Sequence, residues 1–262
     1  MENMKAAALS DCGSARKINQ DAALIKVCRS KTCGEITLMA VADGMGGLSG
    51  GEVASSMFIR NLEDWFEMDI QTIIQTAENI EAVFDKVRKR LTDLVYEVNE
   101  RILVYGKRQG IRLGTTAAVL FVMAGRYMTV HVGDSRIYRI GRMKCVRLTK
   151  DHSLVERQVE EGVLTSKEAA ASKDNNVLLQ CIGAAKEIKP EVTVGRLNEK
   201  STFVACTDGF WKHLDNAEIH HKLCPQMCVS ETAMESAIER LVSYDRENGE
   251  TDNITAVAVM VK

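Results

Sequence analysis

Four apolar runs, 115–124, 128–132, 136–140 and 144–148, follow one another, separated by short breaks at Gly125, Gly133-Asp134 and Gly141-Arg142. Breaks this short hold no crossover helix, and they read as antiparallel hairpin turns. This region commits the chain to an antiparallel sheet, and the remaining segments have to pack against it.

Strands are expected at 6–10, 22–27 and 36–42, the last two joined by a hairpin around Gly34. Helices are expected at 50–68 and 81–105. In the second, Phe84, Val87, Leu91, Leu94, Val98 and Ile102 recur three and four residues apart, the period of one helix face. Gly110 and Gly114 break it. After the four strand runs come short helices at 154–161 and 166–171, strands at 192–195 and 202–206, helices at 216–223 and 231–244, and a closing strand at 254–261. Two packed antiparallel sheets flanked by helices satisfy this order, an α+β class.

The chain has 262 residues, 45% hydrophobic and 27% charged, enough for one core-forming domain. A formal net charge of -2 gives no support for nucleic-acid binding as the main role. No apolar run approaches the ~18 residues of a membrane span, and Met1-Glu2-Asn3-Met4-Lys5 has no signal-peptide pattern. A cytoplasmic location is expected, with the 8 cysteines as thiols.

The chemistry lies in acidic residues at strand ends and tight turns: Asp21, Asp43, Asp134, Asp208 and Asp252. Two share one pattern, an apolar run followed by Asp-Gly, at Val41-Ala42-Asp43-Gly44 and Cys206-Thr207-Asp208-Gly209. One Asp-Gly alone is a turn. Several carboxylates converging on one point repel one another, and divalent cations offset that cost. Oxygen-only ligands favour magnesium or manganese over zinc. Two such ions activate a water and clamp an in-line displacement at phosphorus. Arg16 suits a bidentate contact to phosphate.

The chain resembles bacterial metal-dependent serine/threonine protein phosphatases of type 2C. The resemblance rests on Arg16-Lys17-Ile18-Asn19-Gln20-Asp21, Val41-Ala42-Asp43-Gly44-Met45-Gly46-Gly47, Gly114-Thr115-Thr116, Val132-Gly133-Asp134-Ser135-Arg136, Leu148-Thr149-Lys150-Asp151-His152-Ser153, Cys206-Thr207-Asp208-Gly209 and Asp252-Asn253-Ile254-Thr255. These run nearly end to end in the family's order.

The resemblance implies a four-layer α/β/β/α sandwich over 1–262, with a flap at about 154–180. It implies hydrolysis of phosphoserine and phosphothreonine by a water or hydroxide bridging two divalent metals, Mn2+ or Mg2+, opposing a serine/threonine kinase. Asp43 would bridge both metals and the Gly44 carbonyl would join the second. Asp208 and Asp252 would ligate the first, and Asp134 with Asp208 a third. Arg16 would bind the phosphate, and Asp21 would act in the outer shell. The implied partners are phosphoproteins, including such a kinase, met by a monomer without nucleic acid or membrane insertion.

The sequence departs from the family where animal members carry a histidine: Met45 stands there, and Leu48 stands after the glycine pair where bacterial members often have His. The leaving-group acid is therefore unassigned, with a water acidified by the metals as the candidate. The rival reading is a pseudophosphatase that only binds phosphoproteins, and the intact carboxylate set argues against it. A narrower rival is a phosphatase for one regulatory partner, such as an anti-sigma antagonist. His152 is expected to be a buried, hydrogen-bonded structural histidine. His220, His221, Cys224 and Cys228 do not match a standard zinc-finger spacing.

Overall fold

The computed structural model describes residues 4–46 and 50–261. Met1, Glu2 and Asn3 at the N-terminus, and Gly47 and Leu48 of the glycine-rich motif, lie outside the described residues.

The chain begins with three strands, β1 (Lys5–Asp11), β2 (Asp21–Ser30) and β3 (Gly34–Gly46), followed by helices α1 (Gly51–Thr76) and α2 (Ile80–Gln109). Five strands follow: β4 (Leu113–Thr115), β5 (Ala117–Met123), β6 (Arg126–Val132), β7 (Arg136–Ile140) and β8 (Cys145–Arg147). Helices α3 (Leu154–Glu160) and α4 (Ser166–Ala170) precede β9 (Glu191–Arg196) and β10 (Ser201–Cys206). Helices α5 (Asp208–Trp211), α6 (Asn216–Leu223) and α7 (Glu231–Glu247) lead to β11 (Ile254–Val261).

The strands form two antiparallel sheets, one ordered β1-β11-β10-β7-β8 and the other β2-β3-β5-β6-β9, with β4 paired to the end of β3. Alternate residues of a strand face opposite sides, so central strands feed two cores. Leu38, Ala40 and Ala42 of β3 pack under α1 and α2 against Phe58, Leu62 and Leu91. Met39 and Val41 instead meet Phe203, Ala205 and Val257 between the sheets. On the far side Val204 and Ala258 pack beneath α6 and α7 against Ile219, Ile238 and Leu241. Three apolar layers thus separate four structural layers, the α/β/β/α sandwich expected.

Helix α2 is longer than its apolar stripe, because its ends are set by local chemistry. The Asn79 side chain accepts from the Ala82 N–H at the start, and Gly110, at φ 67°, closes the end with its N–H on the Gly106 carbonyl.

Two expectations need correction. Gly133-Asp134 does not make a hairpin. Strand β6 pairs with β5 and β9 in one sheet, whereas β7 pairs with β8 and β10 in the other. Gly133 sits at φ 109° and carries the chain between sheets, because in the five-stranded sheet Tyr138 and Ile140 are buried beneath α6 and α7 while Ile137 is buried between the two sheets. Second, β3 does not stop before Asp43. It runs on to Gly46, since β4 supplies partners for Gly44, Met45 and Gly46. Asp208–Trp211, for which no element was expected, forms a helical turn.

Residues 154–180 form an excursion whose ends are fastened together. Ser153 bridges Leu178, and the Leu154 N–H donates to the Val177 carbonyl at 2.8 Å. Helix α3 buries none of its residues and α4 buries Ala169.

Asp245 lies inside the α7 face with no accessible surface. Neither of its carboxylate oxygens completes a hydrogen bond among the described residues. Desolvation pushes its pKa up to about 8, with the His213 backbone N–H only partly opposing and Glu250 and Glu218 adding to the shift. The folded state therefore holds this proton where the unfolded state has lost it. Its contribution is full below about pH 4 and is lost as pH rises towards 8, by at most about 1.4 kcal/mol per pH unit. The Asp245→Asn variant should thus gain melting temperature over the parent at pH 8.5 and little or none at pH 4, as calorimetry at both pH values would show.

Candidate metal and phosphate site

Asp43 projects from β3, directly opposite Asp21 of β2. Its backbone is clamped by the next loop. The Asp43 N–H donates to Thr116 Oγ1 at 2.9 Å, and its carbonyl accepts from the Thr116 N–H at 2.9 Å and from Thr115 Oγ1 at 3.0 Å. Thr116 Oγ1 also lies 2.6 Å from Ser135 Oγ. A Cβ on Gly133 would sit 2.5 Å from the Thr116 methyl. Three motif pieces are therefore one interlocked unit. Gly44 admits no side chain, because a Cβ there would lie 2.1 Å from the Gly51 carbonyl oxygen.

The other carboxylates arrive from the second sheet. Asp134 rides on the crossing from β6 to β7. Its carbonyl accepts from Trp211 Nε1 at 3.1 Å, and Arg136 stacks over the Trp211 ring 3.2 Å from its centroid. Arg136 is fixed in turn by Asp151, at 3.0 Å from Nε to Oδ1 and 2.6 Å from Nη2 to Oδ2. Asp208 opens α5 immediately after β10, and its Oδ2 lies 2.7 Å from Lys212 Nζ one turn on. Asp252 precedes β11. It holds Arg16 in a two-pronged pair, 2.7 Å from Nε and 2.8 Å from Nη2. Asn253 secures the loop bearing Arg16. Its Nδ2 donates to the carbonyls of Cys12 (2.8 Å) and Ile18 (3.3 Å), and its Oδ1 accepts from the Gln20 N–H at 2.8 Å.

Arg16, Asp43, Gly44, Asp134, Asp208 and Asp252 line one cavity of about 380 Å³. All the residues expected to meet metal or phosphate are thus brought together. Asp21 stands behind them and is not part of the lining. Its Oδ2 accepts from Thr207 Oγ1 at 2.8 Å, while its buried Oδ1 has no hydrogen-bond partner among the described residues. The electrostatics follow from crowding. Desolvation, then Asp208, Asp21, Asp134 and Asp252, push the Asp43 carboxyl well above the ordinary range. Desolvation followed by Asp208 and Asp151 raises Asp134 to about 8. Desolvation is also the main cause of the rise to about 7 at Asp21. Asp252 goes the other way: burial is overcome by its hydrogen bonds with Arg16 and the Asn253 N–H, and its pKa is lowered.

This donor set fits hard divalent cations. It offers carboxylates and a backbone carbonyl, no thiolate or imidazole, and negative charge in excess of Arg16 and Lys212.

A second group of titratable residues lies nearby. Atoms of His131, His152 and Glu191 able to ligate a metal come within 4.8 Å of one another. His152 Nδ1, however, accepts from the Gly133 N–H at 3.1 Å and from Gln180 Nε2 at 2.7 Å. This places the ring proton on Nε2, which faces Glu191 Oε2 at 3.8 Å, so that nitrogen has no lone pair for an ion. His152 is a structural tie between the Asp134 turn and the end of the 154–180 excursion. Elsewhere, His220 Nε2 meets the Arg142 carbonyl at 3.2 Å, and the buried Cys228 thiol donates to the Leu223 carbonyl at 3.5 Å.

Sequence reasoning missed Lys212, Asn253, Asn176 and Leu178 as parts of this site. Lys212 lines the cavity, and although burial opposes its charge, Asp208 holds its pKa above the ordinary value. Its i,i+4 relation to Asp208 is legible only once α5 is read as helix. Asn176 and Leu178 reach the cavity through the excursion, and no local signal points to them.

The family model for protein phosphatase 2C matches residues 12–244. The chain is 30% identical over 258 residues to the protein phosphatase PhpP of Streptococcus pneumoniae, covering 98% of this chain and 97% of that one. The structure of the S. agalactiae serine/threonine phosphatase superposes with a TM-score of 0.82 at 31% identity, over 99% of this chain and 100% of that one. The catalytic domain of the serine/threonine protein phosphatase PstP in complex with 2 manganese ions superposes with a TM-score of 0.75 at 25% identity, over 99% of each.

Replacing Thr116 by valine keeps the shape and leaves the Asp43 N–H without its acceptor. The expected cost is about 1–3 kcal/mol of stability, measured by urea denaturation, with weakened manganese binding by calorimetry.

Proposed function

The chain belongs to the protein phosphatase 2C family, and we propose that it hydrolyses phosphoserine and phosphothreonine esters on proteins in the carboxylate-lined cavity. The observation that carries this reading is the meeting of Asp43, Gly44, Asp134, Asp208, Asp252 and Arg16 around one space. Their elements come from both sheets, and burial, with their crowding adding to it, raises the Asp43 and Asp134 pKa values.

In this reading Asp43, the Gly44 carbonyl, Asp208 and Asp252 would hold two divalent cations, Mn2+ or Mg2+, and Asp134 with Asp208 would hold a third. Bound there, the cations would acidify a shared water for direct attack on phosphorus and neutralise the phosphoryl oxygens. The side chains do the rest. Arg16 presents a planar fork to the phosphate, oriented by Asp252. Lys212 adds a second positive charge at the cavity wall. Asp21 stands behind the metal-holding residues, anchored on Thr207. Met45 brings no transferable proton, so the side chain at that position does not protonate the leaving oxygen. The 154–180 excursion acts as the flap, reaching the cavity with Asn176 and Leu178.

The natural substrates are then cytoplasmic phosphoproteins, among them a serine/threonine kinase, met by a monomeric enzyme of one domain with no nucleic acid. No helix among the described residues is long and apolar enough to cross a membrane.

Hydrolysis of p-nitrophenyl phosphate and of a phosphothreonine peptide is expected with added manganese and not after chelation. Asp208→Asn should bring turnover to background while the circular dichroism spectrum is kept. Arg16→Ala should lower kcat/KM by about 10–100-fold, the value of a charged hydrogen-bonded contact. Folded protein that binds manganese by calorimetry yet hydrolyses neither substrate would instead be a phosphoprotein-binding pseudophosphatase.

A further inference from the structure

The carboxylate cavity opens beside a larger one. A groove of about 720 Å³ runs between α2, the β4 segment and residues 181–184, and Met45 and Gly46 belong to the walls of both. The two spaces therefore adjoin at Met45 and Gly46.

The two spaces have opposite character. The first is lined by four carboxylates. The second has none: its wall includes the apolar Ile102, Leu113 and Cys181, and its charged residues are Lys107 and Arg112. Both cations are exposed. Among the described residues neither is engaged by a carboxylate. Other cations along α2 are: Arg88 pairs with Asp85 at 3.0 Å, Lys89 with Asp93 at 2.5 Å and Arg90 with Glu97 at 2.9 Å. The groove thus presents an apolar wall and two unpaired positive charges, in continuity with the site assigned to the phosphate.

We propose that this groove binds the substrate polypeptide beside its phosphorylated residue, and that it selects segments with an apolar side chain close to the phosphoresidue and acidic side chains beyond. The assignment rests on the phosphatase reading of the carboxylate cavity. The physical basis is complementarity. Acidic flanking residues meet attraction at Lys107 and Arg112, the charged residues of the groove wall, so the flank is directed into the groove. Apolar contact with the partly exposed Leu103 and Ile111 of the groove wall supplies non-directional burial. A small aryl phosphate occupies the first cavity alone and never touches the groove.

The test compares the parent with the Lys107→Glu/Arg112→Glu double variant. Three substrates are used with manganese: p-nitrophenyl phosphate, a phosphothreonine peptide with Asp and Glu flanks, and the same peptide with Lys flanks. The expected result is a tenfold or greater loss of kcat/KM on the acidic peptide, unchanged p-nitrophenyl phosphate hydrolysis, and a reversed preference in favour of the Lys-flanked peptide. Equal losses on the acidic peptide and the aryl phosphate would overturn the proposal, since the lesion would then lie in the fold or the metal site. An unchanged rate on the acidic peptide would overturn it as well. Fluorescence anisotropy of the labelled acidic peptide reads the groove independently of ester cleavage. If the parent hydrolyses nothing, the phosphatase reading fails on its own account, while weaker peptide binding by the double variant still supports the groove and equal binding refutes it.

Discussion

The mutual repulsion of Asp21, Asp43, Asp134, Asp208 and Asp252 is the constraint that the rest of the molecule is built to withstand. Two of them, Asp21 and Asp43, stand opposite each other on adjacent strands, an arrangement that costs stability in an ordinary sheet. The cost shows in the raised pKa values at Asp21, Asp43 and Asp134. The carboxylates stay in place because their backbones are held by bonds that do not involve the charges. Thr115 and Thr116 grip the Asp43 backbone and Trp211 grips the Asp134 carbonyl, whereas Thr207 donates to the Asp21 carboxylate itself and so ties one sheet to the other.

The inter-sheet core decides how far apart these groups stand. Met39 and Val41 immediately precede the site on β3, Ala205 precedes it on β10 and Val257 follows it on β11, and all pack in one layer. A rigid apolar layer of this kind resists small displacements, because interiors are packed at crystal-like density. The two cations are then distributed unequally. Arg16 lies on a loop and pairs with Asp252, whereas Lys212 is half-enclosed beside Asp208. The loop placement leaves Arg16 free to exchange one anionic partner for another, which suits a group that must release product.

Much of the architecture was legible in local pattern. Helix α2 follows from its apolar stripe, Asn79 and Gly110. The termini of α6 and β11 match the expected ranges. The β7–β8 turn is a hairpin, as its short break implies. The same reasoning failed at Gly133-Asp134, a break of the same length, because a strand's partner is chosen by which apolar faces can be buried and not by the turn alone. Asp43 also lies within β3 rather than at its end, since pairing with β4 depends on residues about seventy positions away.

By itself the sequence determined the antiparallel framework, the identity of the five carboxylates and the chemistry their residue type permits, because periodicity and side-chain acidity are properties of short stretches. The tertiary structure decided which carboxylates share a cavity and that Asp21 stands behind it. It also decided that Asp252 holds Arg16, that Lys212 joins the site, and that a basic groove adjoins it. Each of these depends on distances between residues far apart in the chain. Such distances are fixed only when two sheets and four helical faces settle into one packing.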